Sequence, residues 1–137
     1  MEIRRLTADD LPAIAAIQKA SPEAAQWDPA DYLAYESFVA VRNGTIAGFV
    51  VTRRTAPDEI EILNIAVAPK WRRQGVAKRL ISDNNVLVEA HVFLEVRVSN
   101  VRAQEFYKHL GFQEVARRPQ YYDDPPETAI VMKFHSC

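Results

Sequence analysis

Apolar residues recur at helical spacing in two segments near the start of the chain. In the first, Thr7 offers a helix cap and Asp10 follows three positions later, as in a capping box, so a helix is predicted over residues 8–20. In the second, Asp28 precedes a proline at the first helical position, which predicts a short helix over residues 29–36. Two small helices therefore precede the main run of strands.

From Phe38 onward, β-branched and aromatic residues alternate with polar ones, which is typical of strands. Asn43-Gly44 tolerates the positive φ angles of a tight turn, so the segment SFVAVRNGTIAGFVVTRR is predicted to form a hairpin. Helical spacing returns over residues 75–85 and 101–110. Residues 2–5 alternate briefly, and further strands are predicted over residues 59–67, 91–98, 112–118 and 128–134.

This order of elements predicts an α/β fold, described more closely as an α+β mixed sheet with helices between its strands. The segment RPQYYDDPPE, residues 118–127, is predicted to be a loop because it is rich in turn-forming residues. The chain has 137 residues, of which 48% are hydrophobic, and it shows no repeat or linker. One domain over residues 1–137 is therefore expected.

The charge of the chain is nearly balanced, with 17 Lys+Arg against 18 Asp+Glu. Proteins that coat nucleic acid or anionic membranes carry a large positive surplus, so we expect no direct binding to either. No run approaches the roughly 20 apolar residues of a membrane span, and the start lacks a secretory signal, so a cytoplasmic location is expected. The single cysteine, Cys137, and three scattered histidines predict no disulfide and no bound metal.

A cationic turn stands out against this balance. Residues 70–80 read KWRRQGVAKRL and lie between a predicted strand and a helix that begins near Gly75. The start of a helix directs free N–H groups at one point, and a glycine lets the backbone approach an anion closely. A diphosphate fits this arrangement, whereas the absence of a Gly-Lys-Ser/Thr ending disfavours a P-loop and ATP. From the turn alone, a solvated basic helix start without any ligand is the alternative.

The stretch NIAVAPKWRRQGVAKRL resembles the acetyl-CoA signature of the GCN5-related N-acetyltransferases, or GNAT family, written Q/R-x-x-G-x-G/A. FLEVRVSNVRAQEFYKHLGF, ARRPQYY and AIVM are similar to the ribosomal-protein-alanine (RimI-type) branch of that family. The resemblance covers essentially the whole chain. It implies acetyl-CoA as co-substrate and a splayed mixed sheet, with the pantetheine arm between two central parallel strands. The helix after Gly75 is about one turn shorter than expected for the family and should end near Asn84-Asn85.

The resemblance also assigns residues to the coenzyme. Backbone groups of one central strand are expected to pair with the pantetheine amides, and the Val67 N–H is expected to face the thioester oxygen. Asn100 is expected to hold the cofactor arm; its alternative role is a helix N-cap, and the two roles are compatible. The complete set of expected cofactor contacts is Ile65, Ala66, Val67, Arg72, Arg73, Gln74, Gly75, Val76, Ala77, Lys78 and Asn100.

Glu95 is a carboxylate in the middle of a predicted central strand, where nearly every residue should be apolar. The resemblance implies that Glu95 is the general base that takes the proton of the acceptor amine. From the residues alone, a salt bridge to Arg97 or another basic residue is the alternative. Glu59 and Glu61 on the preceding strand are rival carboxylates for a proton relay through water, with an exposed strand face as their alternative.

Aromatic residues complete the expected site. Tyr107 lies on the apolar stripe of its helix, and the resemblance implies that it donates a proton to the departing CoA thiolate; an ordinary core position is the alternative. Trp27, Tyr121 and Tyr122 are expected at the acceptor groove, because the family places their two loops on either side of the incoming peptide. Lids over the edge of the core are the alternative for these three residues.

These assignments predict direct transfer of an acetyl group to an amine, with no acyl-enzyme. The expected acceptor is a protein N-terminal α-amine, in the resembling branch that of a ribosomal protein with N-terminal alanine. An α-amine has a reference pKa near 8 against about 10.4 for lysine, so its deprotonation near neutrality costs roughly 3 kcal/mol less. Acetylation of lysine side chains or a small amine is the alternative within the fold, and a non-catalytic CoA-binding or ribosome-associated module is the alternative of another class.

Overall fold

The strands of the protein lie in one mixed sheet. The computed structural model describes residues 1–123 and 126–134, and within them the strands are β1 (Glu2–Arg5), β2 (Glu36–Arg42), β3 (Thr45–Ala56), β4 (Glu59–Val67), β5 (His91–Arg97), β6 (Phe112–Tyr122) and β7 (Glu127–Phe134). Their order across the sheet is β1-β2-β3-β4-β5-β7-β6. The helices are α1 (Leu11–Lys19), α2 (Val76–Ser82) and α3 (Val101–Leu110), with 3-10 segments at Ala8–Asp10, Pro29–Ala34 and Pro69–Trp71. The predicted mixed sheet with interspersed helices is confirmed.

Apolar clusters on both faces hold the helices to the sheet. On one face α2 and α3 cover the central strands, with Leu80 and Met132 completely buried. On the other face α1 and the Pro29–Ala34 segment pack on β2, β3 and β4, with Ile14 and Tyr32 completely buried. Strands covered on both faces consist of nearly continuous apolar residues, which explains the sequences of β3 and β4.

Strands β4 and β5 run parallel but pair only at their beginnings. The ladder joins Glu59–Ile62 of β4 to the residues from His91 to Leu94 of β5 and then stops. Beyond it, β4 stays paired with β3 up to Val67, and β5 stays paired with β7 up to Arg97. The facing edges of β4 and β5 therefore diverge, which is the expected splay.

The turns and helix ends follow the predictions closely. Asn43 and Gly44 have φ angles of 51° and 73° and close the hairpin between β2 and β3. Asp28 caps the Pro29–Ala34 segment by accepting a hydrogen bond from the N–H of Ala30 at 3.1 Å, although the segment is a 3-10 helix and ends before residue 36. Helix α2 ends at Ser82 and is as short as expected.

The prediction of a loop over residues 118–127 was wrong in its first half. Strand β6 continues to Tyr122, with a register shift after Arg118 and a φ of 54° at Gln120. Pro119 is tolerated there because β6 is an edge strand, where a missing N–H need not break a ladder. The rest of that segment includes residues 124–125, which lie outside the described residues, as does the C-terminal Cys137. None of the helices in the described residues has the length and apolar character of a membrane span.

Candidate active site

Two cavities open where β4 and β5 diverge. The glutamate cavity has a volume of about 610 Å³, and its lining includes Glu23, Glu61, Glu95, Asn100 and Tyr107. The basic cavity has a volume of about 510 Å³, and its lining includes Val67, Arg73, Gly75, Lys78 and Phe106. Of the residues that the structure describes, Glu23 alone lines both cavities.

The turn before α2 forms one wall of the basic cavity. Gly75 has a φ of 79°, which glycine adopts without strain, and no atom lies within 4 Å of the position that a Cβ would take. The first hydrogen bond of α2 runs from the Arg79 N–H to the Gly75 carbonyl at 3.1 Å. The N–H groups of Val76, Ala77 and Lys78 therefore have no acceptor within the helix.

Three basic residues of this turn, Arg72, Arg73 and Lys78, line the basic cavity, and Arg72 also bonds to the protein itself. Arg72 donates from Nε to the Val67 carbonyl at 3.0 Å and from Nη2 to the Ala20 carbonyl at 2.8 Å, so it ties the end of β4 to the end of α1. Gln74 accepts a hydrogen bond from Arg42 and donates one to the Lys70 carbonyl. The exposed residues Arg73 and Lys78 line the basic cavity. Arg72 and Gln74 thus shape the turn through bonds to the protein itself.

The backbone groups of Ile65, Ala66 and Val67 in β4, which are expected to bind the coenzyme, differ in their hydrogen bonding and direction. The Ile65 N–H donates to Asn64 Oδ1 at 3.0 Å, and Ala66 lies opposite Phe49 of β3. The N–H of residue 68 bonds to the Ala47 carbonyl of β3, and N–H groups alternate in direction along a strand. The N–H of Val67 therefore points away from β3, toward the divergent edge.

Glu95 places a sheltered carboxylate on the wall of the glutamate cavity. Its side chain is 7% exposed, and Oε1 lies 3.4 Å from Nη1 of Arg118. Oε2 is buried and has no hydrogen-bond partner among the described residues. The partner is Arg118 rather than Arg97, which bonds to Glu127. One oxygen of Glu95 is therefore held while the other is open to a ligand.

The two rival carboxylates occupy different positions. Glu61 lines the glutamate cavity but forms an ion pair with Arg53. Glu59 lines a third cavity of about 400 Å³, on which Glu95 also borders. Of the three carboxylates considered from the sequence, Glu95 alone combines a wall position in the glutamate cavity with an unpaired oxygen within the described residues.

Tyr107 and Asn100 come from α3 and its cap. Burial, with smaller effects of Tyr122 and Glu23, raises the pKa of Tyr107 to about 12. Asn100 accepts a hydrogen bond from the Ala103 N–H at 3.1 Å, which confirms its role as the N-cap. Both side chains line the glutamate cavity.

The three aromatic residues expected at the acceptor groove meet at the glutamate cavity. Trp27 and Tyr121 are exposed, and the Tyr121 and Tyr122 rings pack edge to face with centroids 5.2 Å apart. The neighbouring Glu95 carboxylate favours the protonated phenol and so raises the pKa of Tyr121. Burial and the same carboxylate raise the pKa of Tyr122 to about 12. These phenols therefore keep their protons near neutrality and present hydrogen-bond donors.

The acetyltransferase (GNAT) family model matches residues 2–112. The chain belongs to the GNAT family. It is 35% identical to the [ribosomal protein bS18]-alanine N-acetyltransferase of Escherichia coli K12, with 95% of this chain and 94% of the relative covered. It is also 35% identical to the N-alpha-acetyltransferase RimI of Mycobacterium tuberculosis, with 78% and 74% covered.

Solved structures agree with this assignment. The crystal structure of the ribosomal-protein-S18-alanine N-acetyltransferase from E. coli superposes with a TM-score of 0.70 at 34% identity, covering 97% of this chain and 92% of the other. Ard1 from Thermoplasma volcanium superposes with a TM-score of 0.75 at 29% identity, covering 98% of each chain. This GNAT member is thus an N-acetyltransferase that uses acetyl-CoA as its acetyl donor.

The residues of this GNAT member fit a coenzyme in the basic cavity. The open space at Gly75 admits an anion close to the backbone, and Arg73 and Lys78 supply positive charge beside it. The cavity extends along the end of β4 past Val67, whose N–H points to the divergent edge. Glu23 marks the point at which this cavity meets the glutamate cavity.

Sequence reasoning missed several residues that build this site. Arg102, Phe106 and His109 of α3 line the basic cavity. Their spacing of four and three positions places them on one helix face, which could have indicated a shared surface. Asn64 is 2% exposed in an apolar strand and bonds to the Tyr32 hydroxyl and to both backbone groups of Ala25. This network fixes the loop at residues 21–28 on β4. Within the described residues, no group of His, Cys, Asp and Glu could hold a metal ion.

Proposed function

We propose that this enzyme transfers the acetyl group directly to the α-amine of a protein N-terminus, and that the acceptor is the N-terminal alanine of a ribosomal protein. The observation that carries the proposal is the buried, unpaired Oε2 of Glu95 on the wall of a cavity that meets the basic cavity at Glu23. The acceptor is supported by the E. coli relative and crystal structure, at 35 and 34% identity, whose names specify acetylation of the alanine of ribosomal protein S18. We further propose that residues 1–137 act as one domain in the cytoplasm, where ribosomal proteins are made.

Glu95 is proposed to act as the general base. Its Oε2 accepts a proton from the acceptor amine, directly or through a water molecule, while Arg118 holds Oε1 in place. The bound acetyl-CoA supplies a thioester whose carbonyl carbon is attacked by the freed amine. The N–H of Val67 is proposed to donate a hydrogen bond to the carbonyl oxygen as negative charge develops on it.

Tyr107 is proposed to stabilise the leaving sulfur. Because its pKa is raised to about 12, the phenol stays protonated throughout the physiological range. Complete proton transfer to a thiolate of reference pKa near 8.5 would be uphill by roughly 5 kcal/mol. The contribution proposed for Tyr107 is therefore a hydrogen bond to the thiolate, with the final proton coming from water as the product leaves.

The acceptor is proposed to enter past the exposed Trp27 and Tyr121, which line the glutamate cavity. An α-amine suits a carboxylate base better than a lysine amine does, because its lower reference pKa makes the free base more abundant near neutrality. The lower reference pKa of an α-amine thus supports an N-terminal acceptor over a lysine side chain.

The test compares two peptides of the same composition. One begins with a free alanine and carries an acetylated lysine, and the other has a blocked N-terminus and a free lysine. The proposal expects acetyl-CoA-dependent acetylation of the first alone, measured by mass spectrometry. Preferred acetylation of the second peptide would replace the proposal with a lysine acetyltransferase. Mass spectrometry of ribosomal proteins from cells with and without the enzyme then identifies the acceptor.

A further inference from the structure

Glu23 lies beside Glu95 and Tyr107 on the wall of the glutamate cavity but has no part in the steps proposed for them. It lies in the loop between α1 and the Pro29–Ala34 segment and alone lines both the glutamate and the basic cavity among the described residues. Its Oε2 is buried and has no hydrogen-bond partner in that part of the chain. A buried polar atom is normally paired, so an unpaired carboxylate oxygen at the junction of two cavities indicates a ligand.

The loop that carries Glu23 is held in place from two sides. Asn100 donates from Nδ2 to the Glu23 carbonyl oxygen at 3.1 Å, which ties the loop to the start of α3. Two residues further on, the N–H of Ala25 donates to Asn64 Oδ1 at 3.2 Å, and the Ala25 carbonyl accepts from Asn64 Nδ2 at 3.0 Å. The site of the Glu23 carboxylate is therefore defined by the fold.

Charge indicates the kind of ligand. Of the three carboxylates in the glutamate cavity, Glu61 pairs with Arg53 and Glu95 with Arg118, while Glu23 forms no ion pair with any described residue. The coenzyme carries phosphates, whose negative charge disfavours a nearby carboxylate. The acceptor enters as an ammonium group with three N–H donors and a positive charge, which complements an unpaired carboxylate.

We propose that Glu23 binds the α-ammonium group of the acceptor and fixes its nitrogen at the junction of the two cavities. One N–H donates to Glu23 Oε2, and another faces Glu95 Oε2, which takes the proton. The lone pair left by this proton faces Glu95. A rotation of the neutral amine about its Cα–N bond, with one N–H again donating to Glu23, turns the lone pair toward the thioester. Glu23 makes and breaks no covalent bond. This inference rests on the proposed acceptor class, and it makes Glu23 a determinant of acceptor affinity.

The test is the steady-state kinetics of the Glu23→Gln and Glu23→Asp variants with the alanine-leading peptide. Loss of a charged hydrogen bond predicts that Glu23→Gln raises the acceptor KM roughly tenfold or more, with the KM for acetyl-CoA within about twofold of the wild type. Glu23→Asp keeps the charge and should recover part of the loss. Glu89→Gln, at an exposed glutamate in the turn before β5, is the matched control and should match the wild type.

Several results would overturn the inference. One is an unchanged acceptor KM in Glu23→Gln; another is an effect confined to acetyl-CoA, which would place the carboxylate with the coenzyme. Loss of acetyl-CoA binding in both Glu23 variants, measured by calorimetry, would show that Glu23 maintains the fold and does not bind the acceptor. Should the wild-type enzyme prefer another amine, the same KM comparison is made with that amine, so a wrong acceptor class and a wrong role for Glu23 give different results.

Discussion

Asn100 donates a hydrogen bond from Nδ2 to the backbone oxygen of Glu23, 3.1 Å away, while its Oδ1 accepts from the Ala103 N–H. One side chain thus caps α3 and clamps the loop that separates the two cavities. A helix start and a loop 77 residues earlier in the chain are positioned by the same amide.

Asn100→Ser separates these two functions. Serine caps a helix about as well as asparagine but is too short to donate to the loop, so the free energy of unfolding should fall only by the lost hydrogen bond, about 0.5–1.5 kcal/mol. The acceptor KM should nevertheless rise several-fold. Asn100→Ala removes both bonds and should cost about 1 kcal/mol more than Asn100→Ser, measured by urea unfolding. An unchanged KM in Asn100→Ser would show that the clamp has no part in acceptor binding.

Gly48→Ala tests how α2 is seated on the sheet. A Cβ at this position would lie 2.9 Å from the Ala66 carbonyl oxygen and 3.1 Å from Cγ1 of Val76. The Ala66 carbonyl belongs to the backbone of β4 and cannot move aside, so α2 must shift. We therefore expect the unfolding free energy to fall by about 1–3 kcal/mol and acetyl-CoA to bind more weakly.

The control for that variant is Gly44→Ala in the β2–β3 turn. Gly44 has a φ of 73° but no atom within 4 Å of a Cβ, so alanine should cost roughly 1 kcal/mol through backbone strain alone. Calorimetry should find its acetyl-CoA affinity unchanged. Equal losses of affinity in both variants would mean that α2 is not positioned through Gly48.

The two raised tyrosine pKa values predict alkaline sensitivity. Tyr107 and Tyr122 have pKa values of about 12 when folded and near 10 when unfolded, so the folded state holds more protons between these values. Their contribution to stability is complete below pH 10 and is lost as the pH rises toward 12. The Tm should fall over this range in the wild type and fall less in Tyr107→Phe. An identical decline in both proteins would contradict the assignment.

Tyr107→Phe should also slow turnover. Loss of the hydrogen bond to the leaving thiolate is expected to lower kcat by roughly tenfold to a hundredfold, with the acceptor KM unchanged. Steady-state rates at pH 7 to 9 provide the measurement, because the phenol stays protonated there. A variant with wild-type kcat would show that the Tyr107 hydroxyl does not stabilise the leaving thiolate.

Features set by short stretches of sequence were predicted well. The turn at Asn43-Gly44, the caps Asp28 and Asn100 and the glycine turn before α2 each depend on local backbone preferences, and each is found. The extension of β6 through Pro119 was missed, because only the order of strands in the sheet reveals that β6 is an edge.

Features set by distant contacts could not be predicted. Arg72 was assigned to the coenzyme from its place in the motif and lines the basic cavity, but the bonds of its guanidinium to the end of α1, about fifty residues earlier in the chain, gave no signal in the sequence. The Glu23 carboxylate gave no signal because its significance depends on where two cavities meet. Glu95 was singled out by an unexpected charge in an apolar strand, but its partner Arg118 depends on the β5–β7–β6 order.

The central claim is that Glu95 takes the proton of the amine, and Glu95→Gln tests it most directly. The substitution keeps the shape of the side chain but removes its basicity, so acetylation of the alanine-leading peptide should slow by about 10²-fold or more. Acetyl-CoA binding by calorimetry should stay at the wild-type value, and Glu59→Gln should be fully active. A Glu95→Gln enzyme with wild-type kcat and intact acetyl-CoA binding would contradict the claim and move the search for the base to Glu61.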